Sequence, residues 1–160
     1  MRGQEGQGLT PVRLLREASV RVFVHATESE EKVREILLHL LPEGVKLTST
    51  RLKGHFSNPI ITLDAHLTEE EQVLELWRRI SAGLSGVENL PQELGKRMEG
   101  SSLYLRLDKQ LAAGGRFLLT EGGDAIHIRL RLGGSPSQPS EEKIRLLLRE
   151  AQKEVRGPAV

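Results

Sequence analysis

The stretch Ser102 to Leu132, SLYLRLDKQLAAGGRFLLTEGGDAIHIRLRL, decides how the rest of the chain is read. Two runs within it alternate apolar and polar residues with the period of two that a half-buried strand requires. In the first, Leu103, Leu105 and Leu107 share one face and Tyr104, Arg106 and Asp108 the other. In the second, Ile126, Ile128, Leu130 and Leu132 lie opposite His127, Arg129 and Arg131. Two such strands in one antiparallel sheet need helices over their leucine and isoleucine side. The other side is then an open face of arginine, histidine and tyrosine.

The upstream sequence fits the same sheet. Val20 to Ala26, VRVFVHA, places Val20, Val22 and Val24 inward and Arg21, Phe23 and His25 outward. Thr27 with Glu30 has the capping-box spacing, which predicts a helix to about Leu41 that Pro42 and Gly44 end. Val45 to Lys53 reads as a polar, β-branched strand near an edge, and GHFSNP, Gly54 to Pro59, as a turn. Ile60 to Leu67 is a further strand with Thr62, Asp64 and His66 outward. Thr68 with Glu71 predicts a second helix through about Leu84, with Val73, Leu76, Trp77, Ile80 and Leu84 as its buried stripe, and Pro91 opens a short third.

Downstream, GGSPSQPS has the composition of a linker, after which Ser140 caps a last helix. Its stripe of Ile144, Leu147, Leu148, Ala151 and Val155 needs a surface to cover it, either this sheet or a partner. The fold predicted is therefore α+β: a five-stranded antiparallel sheet with helices packed on one face, in the order β-α-β-β-α-α-β-β, plus a C-terminal accessory helix. The organisation predicted is a flexible segment over 1–19, with at most a helical turn around Val12 to Glu17, a main domain over 20–132, a linker over 133–139 and a helix over 140–156.

Composition narrows the function classes. The 160 residues suffice for one domain with a proper core. The absence of cysteine removes disulfides, thiolate metal sites and a thiol nucleophile. No apolar run approaches the ~20 residues that span a bilayer. At the amino end, Thr10, Pro11, Arg13 and Arg16 interrupt any signal-like hydrophobic region, so a cytoplasmic protein with no membrane partner is expected. The net charge of +1 neither favours nor disfavours nucleic acid, because phosphate binding depends on how charge is distributed.

The open face gathers Arg21, Lys46, Arg106, Arg129 and Arg131 against Asp64 and Asp108, with Phe23 and Tyr104 among them and His25, His66 and His127 nearby. Guanidinium groups hold phosphates and stack on bases, and an aromatic ring is a platform for an unpaired base. The same pattern also serves a merely solvated sheet face, neutralised by cross-strand Arg–Asp pairs, or the buried face of a symmetric dimer. A second candidate cluster lies in the connections: Lys53, His55 and Asn58 around GHFSNP, and Lys109 and Gln110 in DKQ. These side chains can reach base edges, 2′-hydroxyls and phosphate, or can be turn-forming and solvated residues. The histidines and aspartates show no ligand spacing such as HxxxH or HExxH, and the Gly-Gly pairs at Gly114 and Gly122 fit neither a Walker nor a dinucleotide pattern. Catalysis, a metal site and a cofactor are not expected.

Three stretches in order, FVHATE at Phe23 to Glu28, GHFSNPI at Gly54 to Ile60, and LYLRLDKQ followed by DAIHIRLRL, resemble a family of archaeal RNA-binding proteins described as predicted exosome subunits. That family is similar in fold to the ribosomal protein that binds 5S rRNA. The resemblance covers about residues 20 to 132; the linker and last helix lie outside it. It implies a five-stranded sheet with helices on one side, no catalytic activity, RNA as ligand, and a homodimer, the exosome or ribosome-associated proteins as partners. The function expected is non-catalytic RNA binding, in the context of archaeal RNA processing, through Arg21, His25, Lys53, His55, Asn58, Tyr104, Arg106, Lys109, Gln110, His127, Arg129 and Arg131. The alternative is a dimeric interaction subunit that uses the sheet face or the C-terminal helix.

Overall fold

The computed structural model describes residues 13–53, 59–135 and 137–154. Its elements are β1 (Leu15–Val24), α1 (Glu30–Leu40), β2 (Thr48–Lys53), β3 (Pro59–Leu67), α2 (Glu70–Gly83), α3 (Leu90–Gly95), β4 (Met98–Glu99), β5 (Ser102–Asp108), α4 (Lys109–Ala113), β6 (Ala125–Leu132) and α5 (Ser140–Glu154). The strands form one sheet in the order β2-β3-β1-β6-β5-β4, and every neighbouring pair is antiparallel. The α+β class is as expected; the strand count and element order are not. The sheet has six strands instead of five, because Met98 and Glu99 turn back at Gly100 (φ +62°) to pair with Leu103 and Ser102. Two residues are too short to display a period, so no alternation marks them. The additional helix, α4, fills the connection after β5, where the Asp108 carboxylate accepts the Leu111 amide at 2.9 Å and caps it.

The core lies between the sheet and the helices. Val20, Val22, Val24, Leu63, Ala65, Leu103, Leu105, Leu107, Ile126, Ile128 and Leu130 meet Val33, Leu37 and Leu40 of α1 and Val73, Leu76, Trp77 and Ile80 of α2, all buried. The faces assigned from alternation in β3, β5 and β6 are those observed. Strand β1 instead begins at Leu15, within the segment expected to be a flexible tail with a helical turn. A bulge explains the difference: Leu15 pairs with Leu132 but Glu17 with Arg131, so Arg16 is an extra residue and the strand changes parity there. Leu15 and Ala18 both reach the core, an odd spacing that alternation cannot show. Residues 1–12 and the helix end from Val155 lie outside the described residues.

Helix starts also differ from the capping boxes. Helix α1 is capped by Ser29, whose hydroxyl accepts the Lys32 amide at 3.3 Å, in place of Thr27. Helix α2 follows Glu69, with no side-chain cap, in place of Thr68. The last helix, α5, contains Ser140 as its first residue, and its first turn is closed by the Pro139 carbonyl, which accepts the Glu142 and Lys143 amides. This helix docks on its own domain: Ile144 and Leu147 are buried in the core, and the indole N–H of fully buried Trp77 donates to the Leu147 carbonyl at 2.8 Å. It packs against α2 and α3, so the open sheet face stays clear of it.

Gly83, the last residue of α2, lets the backbone of Phe117 approach closely. A Cβ there would lie 2.5 Å from the Phe117 carbonyl oxygen and 3.0 Å from the Phe117 Cβ. Backbone cannot yield as a rotamer can, so overpacking outweighs the ~1 kcal/mol that alanine gains over glycine in a helix. Gly83→Ala is expected to lower unfolding free energy by about 1–2 kcal/mol in a urea titration. An unchanged or raised midpoint would contradict the packing of the 114–119 connection against α2.

Candidate functional site

Register brings the open-face side chains into rows. Asp64 of β3 is opposite Arg21 of β1, which is opposite His127 of β6, which is opposite Arg106 of β5. One step along, His66, Ser19, Arg129 and Tyr104 form the next row, and Glu17, Arg131 and Ser102 the one after. The first two rows line a shallow depression of about 710 Å³ across the middle of the sheet.

The arginines in these rows are not equivalent. Arg21 Nε donates to Asp64 Oδ1 at 2.5 Å, and Arg131 Nη1 to Glu17 Oε2 at 2.5 Å. Glu17 also meets His66 Nε2 at 2.6 Å. Hydrogen bonds from His66 and Arg131 hold the Glu17 carboxyl below its ordinary range. By contrast, Arg129 makes only a 3.1 Å bond from Nε to the Ser102 hydroxyl, and Arg106 has no carboxylate partner among the described residues. His127 is half-buried, edge-on to Phe23 with centroids 6.1 Å apart. Burial, then the charges of Arg106 and Arg21, push its pKa down against the weaker pull of Asp124, so the ring is neutral at pH 7. Tyr104, 43% exposed, is the chain's one tyrosine and an exposed ring on this face.

Arg21, Tyr104, Arg106, His127, Arg129 and Arg131 thus come together as expected from alternation. Of the connection residues, Lys53, Lys109 and Gln110 do not join them. His55 and Asn58 lie outside the described residues. Lys53 pairs with Pro59 in the register of Ser49 and Arg51, the helix-side parity of β2, and is exposed there. Lys46 is exposed but precedes β2, and Gln110 is exposed on α4.

Lys109 departs most from expectation. Its side chain is 1% exposed, and its ammonium donates to the Phe23 carbonyl at 2.8 Å, Glu28 Oε1 at 2.8 Å and Asp124 Oδ1 at 3.1 Å. Three acceptors satisfy its three donors, so neither phosphate binding nor a solvated role fits it. For both Glu28 and Asp124, burial raises the pKa but is outweighed, and each carboxyl sits below its ordinary value. Glu28 is lowered by the His25 amide and Lys109, and Asp124 by Lys109 and His25. His25, with Nε2 3.3 Å from Asp124 Oδ1, belongs to this cluster at the sheet's end and not to the central rows.

Glu17, Ser19 and Ser102 are the open-face members that the sequence reading missed. The two in β1 keep the parity of Arg21 and lie in the part of the strand before Val20, which the sequence reading places in the flexible segment. Among the described residues, no group of three or more His, Asp or Glu side chains is placed to hold a metal ion. No helix among them is long and apolar enough to cross a membrane.

Comparison with known proteins locates the chain. A family model described as RNA binding matches residues 17–132. The chain is similar to the RNA-binding protein PAB1135 of Pyrococcus abyssi, with 32% identity over 125 residues, 73% of this chain and 81% of that protein. Its fold matches the crystal structure of protein AF2318 from Archaeglobus fulgidus, a DUF54 protein (TM-score 0.70, 33% identity, 86% of this chain and 99% of that one). It also matches Mth689, a DUF54 protein from Methanothermobacter thermautotrophicus (TM-score 0.73, 30% identity, 84% and 98%).

Proposed function

The chain belongs to this RNA-binding family, and on that premise we propose that it is a non-catalytic RNA-binding protein whose open sheet face is the contact surface. The observation that carries the reading is the pair of arginines with no ion-paired carboxylate among the described residues, Arg106 and Arg129, set on neighbouring strands beside Tyr104 and His127. A face that existed only to be solvated would gain from neutralising all of its in-register charges. Here two are neutralised by Asp64 and Glu17 and two are left. Phosphate oxygens are the natural acceptors for these two, and an aromatic ring beside them suits a base.

Titration of the purified protein with a labelled RNA hairpin at two salt concentrations tests this. Saturable binding that weakens as salt rises is expected, because bound phosphates release condensed counterions. Absence of binding at low salt would overturn the reading.

The cellular context belongs to the same proposal. The sequence resemblance supports a role in archaeal RNA processing, with the exosome or ribosome-associated proteins as partners, and the archaeal RNA-binding relative is consistent with the RNA part of that role. A homodimer is supported by β2, an edge strand exposed at all of its residues and carrying the 45%-exposed Leu52, which a second copy can extend by pairing. Co-purification from an archaeal extract and the sedimentation mass of the pure protein test these two statements separately.

A further inference from the structure

The charge left on the open face is small. Asp64 and Glu17 neutralise Arg21 and Arg131, and the open-face arginines left without an ion pair among the described residues are Arg106 and Arg129. Double-helical RNA is held through many contacts to regularly spaced phosphates and 2′-hydroxyls along its grooves, with its base faces stacked away inside. Two guanidinium groups make a short array for that purpose, and an exposed ring has no base face to meet. The same groups match one unpaired nucleotide well. Tyr104 lies directly opposite Arg129, and Arg106 directly opposite His127, so ring, cations and a half-buried imidazole border one depression. Its volume of about 710 Å³ is on the scale of a small-molecule site, not of a duplex groove.

We infer that this face takes an unpaired nucleotide of a structured RNA, such as a hairpin loop or bulge, with the base stacked on Tyr104 and the adjoining phosphate held by Arg106 and Arg129. The inference rests on the RNA-binding reading above and specifies which feature of the RNA is read. His127, edge-on to Phe23, lines the same depression with a ring that can hydrogen-bond a base edge, and the hydroxyl of Tyr104 is not needed for stacking.

The test is a fluorescence-anisotropy titration of the full chain with two fluorescein-labelled RNAs that share one stem: a hairpin with an unpaired loop and a blunt duplex. The hairpin is expected to bind about tenfold tighter than the duplex. Tyr104→Ala is expected to weaken hairpin binding about tenfold and to leave duplex binding alone, while Tyr104→Phe, which keeps the ring, rescues hairpin affinity. Emission of the buried Trp77 reports that each variant is folded. Equal affinity for hairpin and duplex, or a Tyr104→Ala variant as tight as the parent, overturns the inference. If Arg106→Glu with Arg129→Glu still abolishes binding in that case, the RNA-binding face stands without base stacking. If the parent binds neither RNA, the underlying reading falls as well.

Discussion

Reversing the two open-face guanidinium charges that make no ion pair among the described residues, Arg106→Glu together with Arg129→Glu, is expected to reduce RNA affinity by about a hundredfold or more. Hydrogen bonds between a guanidinium and a phosphate are charge-assisted, and losing two at about 1.5–3 kcal/mol each already reaches that range before repulsion is counted. The salt dependence should change with it. Each phosphate contact on a single strand contributes about 0.7 to the slope of log affinity against log salt, so the variant's slope should be shallower by about 1.4. The comparison is Arg145→Glu with Arg149→Glu, which makes the same change in net charge on α5, where Arg145 and Arg149 are exposed and away from the sheet face. A fall of similar size in that variant would mean that overall charge, and not the open face, sets affinity. Among the described residues the two open-face substitutions remove no ion pair: Arg129 gives up one bond to Ser102, and Arg106 gives up only its longer-range attraction for the Glu121 carboxyl. The variant should therefore stay folded, and its melting temperature checks this.

The largest expected effect on stability comes from Lys109. Replacing it with methionine keeps the stem and removes the ammonium, leaving Glu28 and Asp124 facing one another and the Phe23 carbonyl without its donor. Breaking a buried pair by removing one partner costs about 3–5 kcal/mol, and since Asp124 is half exposed the lower end, about 3 kcal/mol, is expected. The pH dependence separates this from a simple packing loss. Both carboxyls are held below their ordinary values in the folded parent. A carboxyl with a depressed folded pKa contributes stability above its unfolded pKa and loses it as pH falls through the folded value. The parent should thus lose stability below about pH 4. In Lys109→Met the two acids repel, protonation relieves them, and the deficit against the parent should shrink on acidification. Chemical denaturation at pH 7 and pH 3.5 reads both quantities. A deficit that is constant across this range would show that the ion cluster contributes nothing and that the cost is one of shape.

Lys109 also shows what a local reading of sequence misses. In DKQ it follows a strand and looks like a loop lysine, and nothing within several residues signals burial. Its partners are far along the chain, at Phe23, Glu28 and Asp124, and meet it only because β1, the turn before α1 and the loop before β6 converge at one end of the sheet. The open face is the opposite case. Tyr104, Arg106, His127, Arg129 and Arg131 were assigned to it from alternation alone, since adjacent residues of a strand must point to opposite faces whatever the strand pairs with. That rule fails where a bulge changes parity, as between Glu17 and Leu15, which reaches the core although it has the open-face spacing.

Sequence alone therefore determined the class of fold, the apolar side of β3, β5 and β6, the stripe of α2 and the identity of the polar face, because each of these follows from a period written within a few consecutive residues. Tertiary structure alone decided which arginines are neutralised, that Lys109 is a buried tie, that β4 adds a sixth strand and that α5 covers the core beside Trp77 and leaves the sheet face open. The physical reason is that an ion pair such as Arg131 with Glu17 joins residues 114 positions apart, and its existence depends on the register between strands, which no single strand encodes.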